Sequence, residues 1–387
     1  MKIRMIILTC VVLFLYLTVN AQWELVMQEG GNIYSLVEQN DIMFAGTQFG
    51  VFKSEDGGDT WFEANNGLTN TVVHPMVGIG SRLFAGTEAG VFISDDGGDN
   101  WIESNQGLNI SKINCFLVVE DGIYAGTEDR GVYYSSDNGN SWTSKNNGLS
   151  NLSVKTMVIF NARLFIGTDG SGIFYSDNNG EVWTQNNSGL TSWYIKHLSL
   201  KDDKLFVSTG LNFCISENNG QNWSALSTPF EYPVLCSTVY EEYMFVGTNG
   251  DGVAYSMDYG QTWTMWSEGL SNLNMYAIEV FGDYVWSPSC CGFGLYKRLL
   301  PDVTNIVNID LTNDVEIYPN PATDIIKLKS SQNITHLKIF NMQGRLMIDK
   351  NRPCMESAID VSKLTRGIYL VTLNFGELNT TRKLIIL

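Results

Sequence analysis

Histidine is almost missing from this chain: three in 387 residues, too few to build a His-based metal centre. Basic side chains are also short, 24 Lys and Arg against 41 Asp and Glu, for a net charge of −17. That deficit excludes a nucleic-acid binder or an anionic-membrane binder, since both need a cationic footprint. Proline is held to 8 residues while glycine reaches 37, which suits many tight turns and not a collagen-like or disordered chain. No Cys-x-x-Cys pair occurs, so zinc is not expected, and nothing points to another metal or a cofactor. After the first 21 residues no apolar run approaches membrane-spanning length. At this length two folding units are expected.

The first 21 residues, MKIRMIILTCVVLFLYLTVNA, place Lys2 and Arg4 ahead of a short apolar run and end on Val19-Asn20-Ala21. This is the pattern of a secretory signal peptide cleaved after Ala21. The charge is unevenly spread beyond it: residues 310–387 carry a net +2, which leaves −21 on residues 22–309. The shift marks a boundary at the linker 301–313, PDVTNIVNIDLTN.

Tryptophan recurs at Trp23, Trp61, Trp101, Trp142, Trp183, Trp223 and Trp263, with spacings of 38 to 41. Gly-Thr pairs at 46, 86, 126, 167 and 247, with Ser208-Thr209 between the last two, keep the same period. A period near 40 signals stacked supersecondary units. Within one unit, VVHPMVGIG, RLFAGT, GVFISDD and NWIESNQG each read as a short strand bounded by turn residues. Four strands per 40 residues make a propeller blade. Trp23 stands alone at the start as a fourth strand, and residues 273–299 end the series with three strands and no fourth. The two pieces complement each other and would cover two open edges, so a closed ring of seven blades over 22–300 is expected.

Between the third and fourth strands runs a repeated turn: SEDGGDTW (54–61), SDDGGDNW (94–101), SSDNGNSW (135–142), SDNNGEVW (176–183), SENNGQNW (216–223) and SMDYGQTW (256–263). These resemble Asp-boxes, or BNR-like repeats, whose pattern is Ser-x-Asp-x-Gly-x-Thr-Trp. The resemblance implies a β-propeller of the superfamily of sialidases, sortilin-type receptors and the photosystem II assembly factor. Asp56, Asp96, Asp137 and Asp258, with Asn178 and Asn218 replacing Asp, are expected to bond turn amides. Gly58, Gly98, Gly139, Gly180, Gly220 and Gly260 supply positive φ, and the Trp rings are expected to bury between blades. Asp-boxes identify the fold, not the activity.

The C-terminal stretch carries Ile317-Tyr318-Pro319-Asn320-Pro321-Ala322, Leu337-Lys338-Ile339-Phe340-Asn341, Gly367-Ile368-Tyr369-Leu370-Val371 and Lys383-Leu384-Ile385. Residues 314–387 thereby resemble the type A C-terminal sorting domain of the type IX secretion system. Alternating runs such as IIKLKS, THLKIF and GIYLVTL read independently as a small β-sandwich. The resemblance implies export across inner and outer membranes through that machinery, removal of the domain, and a propeller left secreted or on the cell surface. The whole chain is thus expected to be all-β.

Six cysteines follow the leader. Cys115 and Cys236 lie in first-strand runs and read as buried, unpaired packing residues. Cys214, Cys290 and Cys291 fall near loop turns of blades five and seven, where an oxidising compartment permits a disulfide of undetermined pairing.

Loops on the face made by the second-to-third-strand and fourth-to-first-strand connections can vary without disturbing the blades, so ligands are expected there. Departures from the repeated NNGLTN-type connection bring Trp193, Tyr194, Phe213, Phe230 and Tyr232 to one sector, where exposed aromatics stack on sugar rings or anchor a polypeptide. Four arginines in the propeller, scattered among blades, do not make a sialidase cluster. The carboxyl pairs that a neutral-glycan hydrolase needs have Glu128, Asp129 and Asp169 as their best candidates. The reading is a non-catalytic propeller that binds a glycan, peptide or protein. The alternatives are a glycoside hydrolase on neutral polysaccharide and an assembly factor for another exported protein.

Overall fold

The computed structural model describes residues 22–28, 31–289, 294–301, 315–330, 334–341, 345–351, 358–375 and 378–386. The expected leader with its cleavage site at Ala21, most of the 301–313 linker, Cys290, Cys291 and Cys354 lie outside them. Residues 20–298 form one compact unit and 299–387 another.

In the first unit the described residues form seven four-stranded antiparallel sheets, six of them in the order first, second, third, fourth strand. The first sheet consists of Ile33–Gln39, Ile42–Thr47, Gly50–Ser54 and Phe62–Glu63. The second strands (Ile42–Thr47, Arg82–Thr87, Arg163–Thr168 and their equivalents) are buried from their second residue onward. A strand covered on both faces needs a continuous apolar run, which LFAGT and LFIGT provide. Asn40 and Asp41 both have positive φ, 54° and 63°, and close a two-residue turn between the first two strands, whose paired ends are Gln39 and Ile42. The fourth strands are only two residues long, which leaves little open edge.

The repeated turn is held by its own side chains. Ser94 Oγ donates to Asp96 Oδ1 at 2.8 Å and accepts from Gly98 N at 2.9 Å, and Asn100 N donates to Asp96 Oδ1 at 2.9 Å. The other five turns repeat this pattern, with Asn178 and Asn218 accepting where Asp is replaced. Gly98 has φ +84°, and a Cβ there would lie 2.8 Å from the Phe44 ring of the preceding blade, so both conformation and space demand glycine.

The tryptophans divide into two groups. Trp23, Trp101, Trp142, Trp183 and Trp223 are buried. In this group the indoles of Trp101, Trp142 and Trp183 donate to carbonyls of the preceding blade, at Ala64, Ser104 and Lys145. Trp61 and Trp263 depart from the expected inter-blade burial: both are partly exposed and donate back into their own turns, to Gly58 O and Gly260 O. At Trp263 the Phe213 and Phe230 rings occupy the neighbouring space, at centroid distances of 5.8 and 5.2 Å.

The seventh sheet joins the chain's beginning to its last blade. Glu24–Met27 pairs antiparallel with Gly294–Leu299, Leu25 opposite Tyr296 and Met27 opposite Leu295. Trp23 N donates to Glu268 O at 3.0 Å and its indole to Trp266 O at 2.5 Å. The ring is closed.

The second unit is a β-sandwich. One sheet is Val315–Tyr318, Ile325–Ser330 and Ala358–Asp360, and the other is Leu346–Asn351, His336–Asn341, Gly367–Phe375 and Leu378–Ile386. Ile326, Leu337, Ile339, Val371 and Leu384 meet in its core. The Pro-Asn-Pro segment is tied to the last strand, Asn320 Nδ2 donating to Lys383 O and Ile385 N donating to Asn320 Oδ1.

Candidate binding site at the loop face

Six first strands shift register after their first residue, between Ile33 and Ser35, Val73 and Met76, Ile113 and Cys115, Val154 and Thr156, Ile195 and His197, and Val234 and Cys236. A bulge re-aims the extra side chain away from the ladder. Tyr34, His74, Asn114, Lys155, Lys196 and Leu235, with Tyr276 of the closing blade, accordingly line the mouth of the central channel, around a cavity of about 460 Å³. Burial, helped by the Lys112 charge, pushes His74 down to about 4. Burial alone does the same to His197 and pushes the Glu279 carboxyl up to about 7. Sequence reasoning read His74 and His197 as strand residues without a motif. The available signal was the column of polar residues one place after each buried strand start.

Of the three carboxylates, Glu128 and Asp169 are brought together. Lys155 Nζ lies 2.7 Å from Glu128 Oε2 and 3.5 Å from Asp169 Oδ2, so these oxygens are within about 6 Å of each other. Burial pushes Glu128 up, but the hydrogen bonds from Lys155 and Asn114 outweigh it and hold the carboxyl below its ordinary value. Glu128 is therefore ionised at neutral pH and has no proton to donate to a leaving group. Asp129 stands apart, accepting from Ser111 Oγ at 2.5 Å and facing Arg130 at 3.7 Å.

The aromatic sector is partly as expected. Trp193, Tyr194 and Tyr232 are 51%, 58% and 50% exposed. Phe213 is a correction: it begins a strand, is 3% exposed, and lies between Phe206 and Trp263. Phe230 is half-buried against Trp263. Leu211, which sequence reasoning passed over, is 73% exposed at the tip of the adjacent loop. Trp193, Tyr194, Lys196 and Leu211 border a hollow of about 600 Å³.

These residues belong to a longer arc. Leu152, Trp193, Tyr232 and Leu273 occupy one repeat position, two residues before the buried start of blades four to seven, and all four are exposed. Blades two and three have Thr71 and Ser111 there. Leu152, Trp193 and Leu273 are fixed alike, their carbonyls accepting from Gly131, Gly172 and Gly252 N at 2.8–2.9 Å. Tyr194 O likewise accepts from Gly210 N, at 2.9 Å. The backbone is pinned and the side chains face outward.

On the opposite face Arg82 forms a two-pronged pair with Asp95 and donates to Asn138 O of the next blade; Arg163 repeats this with Asp177 and Asn219. These arginines join blades.

Such an architecture defines an all-β propeller followed by a separate β-sandwich. Residues 316–387 match the family described as secretion system C-terminal sorting domain, and residues 145–277 match the DUF6242 beta propeller domain. The chain carries a propeller and a type IX sorting domain, and is exported to the cell surface or the medium. Among the described residues no helix is long and apolar enough to cross a membrane.

Among curated proteins, beta-agarase D of Zobellia galactanivorans is 29% identical over 76 residues, 20% of this chain and 15% of that protein. Among solved structures, the extracellular domain of a one-component system from B. thetaiotaomicron is 12% identical with a TM-score of 0.62, covering 93% of this chain and 52% of that one. YCF48 from Cyanidioschyzon merolae is 14% identical with a TM-score of 0.58, over 73% of this chain and 99% of that one. YCF48 bound to D1 peptide gives 16% and 0.60, over 73% and 96%. Identities this low show likeness of fold alone.

Proposed function

We propose that this is a non-catalytic binding module, exported to the cell surface or medium, that holds a polypeptide segment on the loop face of blades four to seven. The observation that carries the reading is the arc of Leu152, Trp193, Tyr232 and Leu273 with Tyr194 and Leu211: outward apolar side chains on a pinned backbone. Large exposed patches of this kind mark interaction surfaces, and Trp and Tyr are the side chains that dominate their energetics. The aliphatic leucines favour polypeptide over glycan, because a sugar ring stacks on a flat aromatic face and gains little from Leu. That a propeller of the same fold, YCF48, was solved with D1 peptide supports the same ligand class.

The test is selection from a displayed random-peptide library on the full chain. Peptides that bind the wild type and lose at least tenfold in affinity on Trp193→Ala support the reading. Failure to enrich any such peptide, together with hydrolysis of a neutral polysaccharide that is abolished by Glu128→Gln, would replace it with the glycosidase.

A further inference from the structure

The channel beneath the arc has a feature that peptide binding on the rim does not use. Its wall in blades seven, one and two carries polar atoms without protein partners. Ser35 Oγ and His74 Nε2 are buried and unbonded, and His74 Nε2 stays 3.8 Å from Glu88, beyond hydrogen-bond reach. Glu279 makes no hydrogen bond or ion pair among the described residues, and it borders the same cavity.

Register sharpens the anomaly. Glu279 faces Trp286 across its hairpin. Val37, Leu117, Val158, Ser199 and Thr238 face the equivalent aromatic in other blades. Glu279 is the charged member of an otherwise neutral ring. Above it the rings of Tyr34 and Tyr276 stack at 6.0 Å, and Tyr34 lies 4.4 Å from the His74 ring.

We propose that this wall binds a primary ammonium group. Three acceptors, a carboxylate, a hydroxyl and a neutral imidazole nitrogen, match the three N–H donors of an ammonium. The tyrosine faces add cation–π attraction to the same charge. Protein cations do not already fill the role: Lys155 is engaged by Glu128 and Asp169 on another part of the rim. An arriving ammonium ionises Glu279, which burial otherwise holds partly protonated at neutral pH. A metal is the poorer fit, since no group of three His, Cys, Asp or Glu among the described residues could hold one.

The experiment is ligand-observed NMR titration of the full chain with n-butylammonium chloride at fixed ionic strength, with n-butanol as the neutral isostere. Saturable binding of the ammonium but not of the alcohol is expected. Glu279→Gln should weaken it at least tenfold and Ser35→Ala about threefold, while Trp193→Ala leaves it unchanged, which separates this site from the rim. Nα-acetyl-lysine methylamide and alanyl-alaninamide then distinguish a lysine side chain from a chain N-terminus as the source, by which binds more tightly. No saturable binding, equal binding of butanol, or full retention in a Glu279→Gln protein with native circular dichroism would overturn the proposal.

Discussion

Gly58, in the turn of the first blade, sits under the indole of Trp286 in the last: a Cβ on Gly58 would lie 2.4 Å from the ring. The same fit joins Gly98 to Phe44 and Gly139 to Phe84 between consecutive blades. The seam where the chain's two ends meet is thus packed like every other seam. Ring closure rests on that equivalence, together with the strand pairing of Leu25 and Tyr296.

Truncating Trp23 should open this seam. The ring is buried and bonded to Trp266 O, so Trp23→Ala is expected to cost about 3–5 kcal/mol. Trp61→Ala removes a partly exposed ring bonded within its own turn and should cost less than half as much. Urea midpoints of the two variants check the difference; equal losses would contradict closure through Trp23.

Ala162 holds φ +60° in the Asn161-Ala162 turn of blade four. A left-handed non-glycine residue costs roughly 1–2 kcal/mol, of which glycine's greater chain entropy returns part. Ala162→Gly is expected to stabilise the propeller by about 0.5–1 kcal/mol in chemical denaturation.

Hydrogen bonds from the turn hold Asp56, Asp96 and Asp137 at about 2, led by the side chains of Thr60, Asn100 and Ser141. Below an unfolded value near 3.8 the unfolded chain takes up protons first. The stability these carboxylates give is therefore complete above about pH 4 and lost as pH falls toward 2. Asp137→Asn should flatten that slope in midpoints measured between pH 5 and 2, as Asn178 and Asn218 already do in their own turns.

Lys155→Met leaves Glu128 and Asp169 facing each other without the shared cation. The Glu128 carboxyl should then titrate above its ordinary range, read by carbon NMR of the side chain. A Glu128 that still titrates low would mean that Asn114, and not Lys155, governs it.

The strands were legible because each β-branched run is short and ends on Gly, Asn or Asp, and the closing seam because two incomplete blades stood at opposite ends. The orientation of Trp61 and Trp263 was not legible. It depends on the neighbouring blade, which at Trp263 brings Phe213 and Phe230 against the ring. The same packing buries Phe213, which sequence placed on the surface. The channel-mouth ring was hidden for a different reason. A bulge residue present in every repeat changes no repeat length, so Lys155 and Lys196 look like ordinary strand positions.

The most direct test is amide hydrogen exchange of the full chain with a selected peptide bound. Protection is predicted at residues 150–153, 191–196, 210–212 and 231–233, the rim of blades four to six. Protection confined to the opposite face, around Arg82, Asp121 and Asn138, would contradict the loop-face account.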